Sequence, residues 1–558
     1  MKKIAMTFFI LFSVLHTGFF KSSDSTEDFL KEIPVQSGGR VKPFESFARE
    51  ALLSVTGRLS LNGQSATSVV WQWIGAPEKW NTQSFLPVRF LPLKKELNLM
   101  VIGGKISPEL VLTHPAFQEK VQEALEKDRK KEPLLPLEKK RIELYDQARL
   151  FQNIAQGSLP GFIPDPENLQ AGWIPLAGFA DPELRKTLES SYSPRQISQV
   201  EEALRQLIES FRQGGKFQPQ AAGQFSTSLK QLLENHDIIL DQTKLNAERF
   251  YNRIHPFGWA WIFYLIAGIS CLFFKDHLPK IPVSFFAVGF LAHTTGFILR
   301  CLIAGRPPVT NMYESIIWVA WAVVIFSSIL GIIYKNLLIP GAAAWVAAFT
   351  LVIGESFPAV LDPSLSPLVP VLRNNYWLTI HVLTITLSYG AFALAWGLAH
   401  LNLWKFAFHP EKKEEQQRLH EYLYRVLQIG VVLLATGTIL GGVWANASWG
   451  RFWGWDPKET WALIALLGYL AVLHGRFAGW IGAFGTALGS ALAFLGILMA
   501  WYGVNFVLAA GFHSYGFGGG GTEYVLALVA LDLVFISFLA IRYNKNLNLG
   551  ARSFTKQT

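Results

Sequence analysis

From Phe257 onward the sequence is a succession of long apolar runs separated by short polar turns, and this constrains the fold more than any other feature. We count nine runs of about the length that crosses a bilayer as a helix: 257–274, 281–303, 315–334, 337–356, 377–404, 425–445, 460–480, 482–510 and 522–542. In hydrocarbon every backbone N–H and C=O must be satisfied internally, so runs of this length predict helices. The expected fold is all-α: a polytopic membrane helix bundle in the lipid bilayer. Only 16% of the 558 residues are charged, which fits the same class.

The turns carry their charges unevenly. Lys275, Lys280, Lys335, the cluster Lys405, Lys412, Lys413, Arg418 and Arg425, then Arg476, Arg542, Lys545, Arg552 and Lys556 fall on one side. The opposite short loops hold Arg300, Arg306, Arg373, Arg451 and Lys458. Positively charged loops stay in the cytoplasm, so the first side and the C-terminus are expected inside. The net charge of +9 is thereby accounted for without nucleic acid as a partner. Cys271 and Cys301 form no C-x-x-C or C-x-x-C-H motif, which argues against thiol exchange and against a c-type cytochrome.

Residues 1–20 pair Lys2 and Lys3 with an apolar run and no convincing small-x-small cleavage site, so they read as a signal peptide or, preferably, an uncleaved signal anchor. Either device sends residues 21–255 out of the cytoplasm, in agreement with the loop charges. That segment has no span-length apolar run. Helical periodicity over 118–131, 137–156, 198–212 and 226–250 predicts a mostly helical extracytoplasmic domain with little strand. Polar connections such as 157–173 suggest a loose or partner-dependent fold. Residues 256–558 form the membrane domain.

The chemistry concentrates in a short outer loop, Trp449-Gly-Arg451-Phe-Trp453-Gly-Trp455-Asp456-Pro457-Lys458-Glu459-Thr-Trp461. Tryptophans enrich at membrane interfaces, but four of them around an Asp-Pro-Lys-Glu run suit a surface for a large flat ligand. On the same side lie His381, just inside the outer end of its span, and His513, in the loop after another. Neutral imidazole is a strong ligand for haem iron, and two imidazoles fill both axial positions. Arg451 and Lys458 are candidate partners for the propionates. His474 lies towards the inner end of its span, either as a ligand or as an interface residue beside Arg476. His293 lies in mid-span, seven residues before Arg300 and on the same helix face; a hydrogen bond to a neighbouring helix explains it equally well. His400 and His409 sit at the inner rim and read as solvated. Glu314 suits the first turn of its helix and a pairing with Arg300 or Arg306.

These residues resemble the tryptophan-rich WWD-motif family of cytochrome c biogenesis System II, the CcsA/ResC type. The motif above carries the likeness, together with Trp377-x-x-x-His381-Val, Leu473-His474-x-Arg476, and Gly503-Val-Asn505 followed by Gly511-x-His513-Ser-Tyr515. The resemblance covers about residues 255–545. It implies haem b as ligand and substrate, His381 and His513 as outer axial ligands, and His474 as a ligand of an inner site. The second inner ligand would come from a ResB-like subunit, or His293 would substitute. The implied activity is translocation of haem to the outer face of a bacterial cytoplasmic membrane. There it is presented for thioether attachment to the Cys-x-x-Cys-His segment of apocytochrome c, with the chain acting as part of a holocytochrome c synthase. The alternatives are a haem exporter or chaperone serving a separate ligase, and an unrelated multi-span transporter. The stretch 33–43 resembles an extension of some longer members.

Overall fold

The computed structural model describes residues 25–169, 171–358, 360–365, 375–508 and 521–554. His513, Arg373 and the N-terminal apolar segment lie outside the described residues. The chain divides into two compact units, 1–249 and 250–558.

In the first unit, eight helices carry proline at or next to their first position, among them Pro108–Thr113, Pro115–Arg129, Pro136–Ala155, Pro182–Ser191, Pro194–Gly214 and Pro219–Glu234. Proline suits this place because its missing N–H would have had no intrahelical partner. The amphipathic helices wrap one core, where Phe44, Trp71, Trp73, Phe151 and Phe225 are almost wholly buried. The Phe44 and Trp71 rings stack at 4.8 Å.

Two expectations fail in this unit. The 226–250 periodicity is not one helix: the chain breaks between Pro219–Glu234 and Gln242–Ile254, with Asp237 at φ 50°. Part of the 157–173 connection is strand. Gly161–Ile163 is the third strand of a four-stranded antiparallel sheet with Pro34–Ser37, Arg40–Pro43 and Ile174–Pro175. Phe162 and Ile163 are buried, and a Cβ on Gly161 would meet the Trp173 carbonyl oxygen at 2.5 Å. Strands this short give the sequence no alternation long enough to register.

In the second unit, nine helices among the described residues are long and apolar enough to cross a membrane: Pro256–Phe274, Lys280–Ala304, Met312–Tyr334, Leu338–Ser356, Leu378–Phe408, Lys413–Trp449, Pro457–Phe477, Ala483–Leu508 and Thr522–Asn546. They coincide with the nine expected runs, and the fold is an all-α bundle. Leu378–Phe408 is its hub, packing on the helices before and after it, on Met312–Tyr334, on Ala483–Leu498 and on the last helix. Phe392 of the hub stacks on Tyr469 at 3.8 Å, and a Cβ on Gly430 would strike the Phe392 ring at 2.6 Å. Glycine therefore sets the close spacing of the hub and its partner.

His400 is a correction. It is not a solvated rim residue: Nε2 pairs with Asp532 Oδ1 at 2.9 Å, Nδ1 donates to the Trp396 carbonyl at 2.8 Å, and the side chain is 14% exposed. The last helix supplies Asp532, and no sequence pattern marks that these two helices meet.

Candidate functional site

The hub helix does not start as a regular α-helix. Residues Leu378–Val382 form a π turn, and His381 is part of it. A second π segment, Met499–Leu508, carries Trp501 and Asn505. Both line the same cleft, whose empty volume is about 1020 Å³ with its open mouth included. π turns collect at functional sites because they re-aim side chains out of the helical register.

His381 is held from behind. Its Nδ1 donates to the Gly437 carbonyl at 2.8 Å, and its ring meets Trp444 edge-on at 5.6 Å. That hydrogen bond fixes the tautomer with the lone pair on Nε2, as in histidines that bind metals. Two glycines make the fit. A Cβ on Gly441 would lie 2.7 Å from His381 Cε1, and one on Gly437 would lie 2.9 Å from Ile385 Cα.

The tryptophan loop contributes in an uneven way. Asp456 caps the helix Pro457–Phe477: its side chain accepts from Lys458 N at 2.9 Å. Glu459 closes the capping box and does more. Its Oε2 accepts from Asp456 N at 3.2 Å and from Gly454 N at 2.8 Å, so it grips the backbone on both sides of Trp455. Trp455 has φ 55°, a left-handed conformation that costs a bulky residue about 1–2 kcal/mol. Its ring is 69% exposed and meets Trp453 edge-on at 5.8 Å. Asp-Pro-Lys-Glu thus spells a helix start that also holds a strained tryptophan outward.

Of the residues singled out in the sequence, His381, Trp453, Lys458 and Glu459 line the cleft. Trp449 and Trp461 are half-buried outside its lining, and Asp456 is buried as a cap. The Arg451 guanidinium packs directly over Gly454, in space that a Cβ there would occupy. His474 is exposed near the far end of its helix, with Nδ1 donating to the Leu470 carbonyl at 2.7 Å. Beside it Arg476 Nε donates to His420 Nε2 at 2.8 Å, so His420, which showed no pattern in the sequence, belongs to that end. His293 is fully buried elsewhere. Its Nε2 bonds the Ile317 carbonyl at 3.0 Å and its Nδ1 the Tyr264 hydroxyl at 3.3 Å. The interhelical hydrogen bond left open in the sequence is what the geometry shows.

Several cleft residues were not found from the sequence. Trp444, Thr438, Gly441 and Tyr389 had no motif to mark them. The 309–315 segment lines the cleft because Glu314 ties it down: Oε2 accepts from Thr310 N at 2.9 Å and Oγ1 at 2.7 Å, while Oε1 pairs with Arg300 at 2.7 Å. Arg300 and Glu314 are both fully buried, and Arg306 lies 3.4 Å from the same carboxylate. Glu314 therefore pairs with both candidates. Trp501 Nε1 donates to Ser315 Oγ at 2.8 Å, which joins the second π segment to this segment. Asn505 Oδ1 is buried and has no hydrogen-bond partner among the described residues.

Comparison with known proteins gives three kinds of match. Residues 309–512, which hold most of this cleft, match the family model described as cytochrome C assembly protein. The chain is 34% identical to the cytochrome c biogenesis protein CcsA of Prochlorococcus marinus (strain AS9601), over 50% of this chain and 99% of that protein. It is likewise 34% identical to CcsA of Chlorella vulgaris, over 40% of this chain and 82% of that protein. It is 30% identical to Protein NrfI of Wolinella succinogenes over 91% of this chain, so that alignment reaches well into the first unit. The chain spans 58% of NrfI's length.

Proposed function

The chain belongs to the CcsA family of cytochrome c biogenesis proteins, a multi-pass membrane protein of haem handling, and from that premise we propose that its cleft is where haem meets apocytochrome c. The observation that carries this reading is His381: an imidazole on a π turn, its Nδ1 fixed by the Gly437 carbonyl, lining a cleft with Trp453 and Lys458.

In this proposal haem b is the substrate. His381 Nε2 binds the iron on one side and His513 on the other. Trp453 covers a porphyrin face, Trp455 extends the aromatic surface outward, and Lys458 and Arg451 receive the propionates. The distribution of loop charges favours an outer position for this cleft, the tryptophan loop and residues 21–255, and a cytoplasmic C-terminus. His474 takes up haem at the inner end. His293 is a structural residue, because both of its ring nitrogens carry hydrogen bonds; the second inner ligand comes from a ResB-like subunit.

The chemistry asked of the protein is modest. Each thiol of the Cys-x-x-Cys-His segment adds across a haem vinyl group: a C–S bond forms, the thiol hydrogen passes to the other vinyl carbon, and nothing leaves. The substrate's own histidine replaces one protein ligand on the iron. The chain supplies orientation, desolvation and a fixed iron coordination.

The test is to incubate the purified full chain, with and without a ResB-like subunit, with reduced haem and a Cys-x-x-Cys-His peptide. The expected result is a peptide heavier by one haem, with the pyridine haemochrome band shifted as vinyl groups are lost. Haem bound by the chain but never attached under either condition would favour the exporter.

A further inference from the structure

Three turns between long helices meet at the bundle end away from His381. They join Pro256–Phe274 to Lys280–Ala304, Met312–Tyr334 to Leu338–Ser356, and Leu378–Phe408 to Lys413–Trp449. They enclose a cavity of about 1850 Å³ of empty space, mouth included. Six cations line it: Lys275, Lys280, Lys335, Lys405, Lys412 and Arg418. Two carboxylates oppose them. Asp276 lies 2.7 Å from Lys275, and Glu415 pairs with Lys405 and, at 3.4 Å, with Lys412. Arg418 has only a 3.9 Å approach to Glu414, itself outside the lining. Lys280 and Lys335 have no ion-pair partner among the described residues. Excess lysine at cytoplasmic loops is ordinary, but a surplus of four positive charges converging on one concavity favours an anion.

We propose that this cavity binds the phosphate headgroup of an anionic phospholipid. Its phosphate chemistry is shared with free inorganic phosphate, but the surroundings favour the lipid. The helices that form the cavity carry large apolar side chains in the open beside it: Leu272 (66% exposed), Phe273 (69%), Ile332 (77%) and Ile333 (63%), with Val283 (47%) in the lining itself. A headgroup among the lysines would lay its acyl chains along these side chains. Haem is a poorer fit, because none of the described residues lining the cavity is a histidine that could hold iron. Nor is this the His474 end under another description. Tyr422 points into the cavity, accepting from Asn336 Nδ2 at 3.1 Å, whereas His420, two residues away and so on another face of the helix, bonds Arg476.

The experiment uses the full chain in phosphatidylcholine nanodiscs containing a minor share of phosphatidylglycerol, with retained lipid counted by native mass spectrometry. Lys280→Gln, Lys335→Gln and Arg418→Gln are combined; the cations paired with Glu415 and Asp276 stay in place. Three charges near a lipid surface together correspond to about a hundredfold in binding, so retention of phosphatidylglycerol should fall by about that factor. A control with Lys413→Gln and Lys545→Gln, outside the cavity lining, should retain it, and both variants should keep the wild-type haem spectrum. Three results would overturn the proposal. They are undiminished phosphatidylglycerol in the triple variant, equal loss in the control, and equal retention of phosphatidylcholine. Displacement of the bound species by inorganic phosphate alone would reject the lipid as its source.

Discussion

At the scale of single residues, the position of His381 depends on what its neighbours lack. Gly441 has room for no side chain against the imidazole, and Gly437 has none against the Ile385 backbone. The two glycines should therefore fail differently. Gly441→Ala pushes the ring off the Gly437 carbonyl while leaving the helices packed. We expect holocytochrome formation to fall roughly 10–100-fold, the usual effect of losing a partner behind a metal ligand, with normal amounts of protein in the membrane. Gly437→Ala forces backbone apart, so it should lower thermal stability by about 1–3 kcal/mol. Immunoblots and melting curves on both variants, set beside haem-stained cytochrome, check the contrast; equal behaviour would show that the ring is not specifically held. Asp456 offers a second contrast. As a helix cap it is replaceable by asparagine, which caps about as well, but not by alanine, which costs about 1 kcal/mol. If Asp456→Asn loses cytochrome maturation as fully as Asp456→Ala, the carboxylate has a role beyond the cap.

At the scale of elements, the loop 449–461 is ordered by the helix that follows it. Glu459 holds Gly454 N and Asp456 N, and the strained Trp455 sits between them. Glu459→Ala should release the loop. Cleavage by chymotrypsin after Trp453 or Trp455 should rise several-fold, with the spans intact; unchanged cleavage would mean that the loop is held by something else. The sequence showed this loop, because tryptophan, aspartate, proline and glutamate at fixed spacing are a local code, but it put the helix at 460–480, three residues late at both ends. It showed all nine long helices for the same reason: apolar length is local. The two π turns were not visible, since no residue pattern distinguishes them from α-helix. Nor were the His400–Asp532 and Arg476–His420 pairs, whose members are over fifty residues apart and meet only through packing. The small sheet of the first unit was missed because its strands are two to four residues long.

At the scale of the whole molecule, passage of haem from one face to the other requires two ends with different work. Reporter fusions at Glu96 and Trp453 should be active outside, and those at Lys413 and the C-terminus inside; a cytoplasmic Trp453 would leave the cleft unable to meet an exported cytochrome. Haem content should also follow the proposed path. His474→Ala should lower total haem in the purified protein, because loading fails, whereas His381→Ala should keep inner-site haem when the ResB-like subunit is present. Equal haem content in His474→Ala and the wild type would remove the inner site from the account. The central claim, that His381 binds haem iron in the cleft, is tested most directly by the electron paramagnetic resonance spectrum of the haem-loaded full chain. The wild type should give the low-spin signal of iron held by two imidazoles. His381→Ala should lose that component and regain it with added imidazole, which refills the vacant axial position. A low-spin outer-site signal unchanged in His381→Ala would contradict the account.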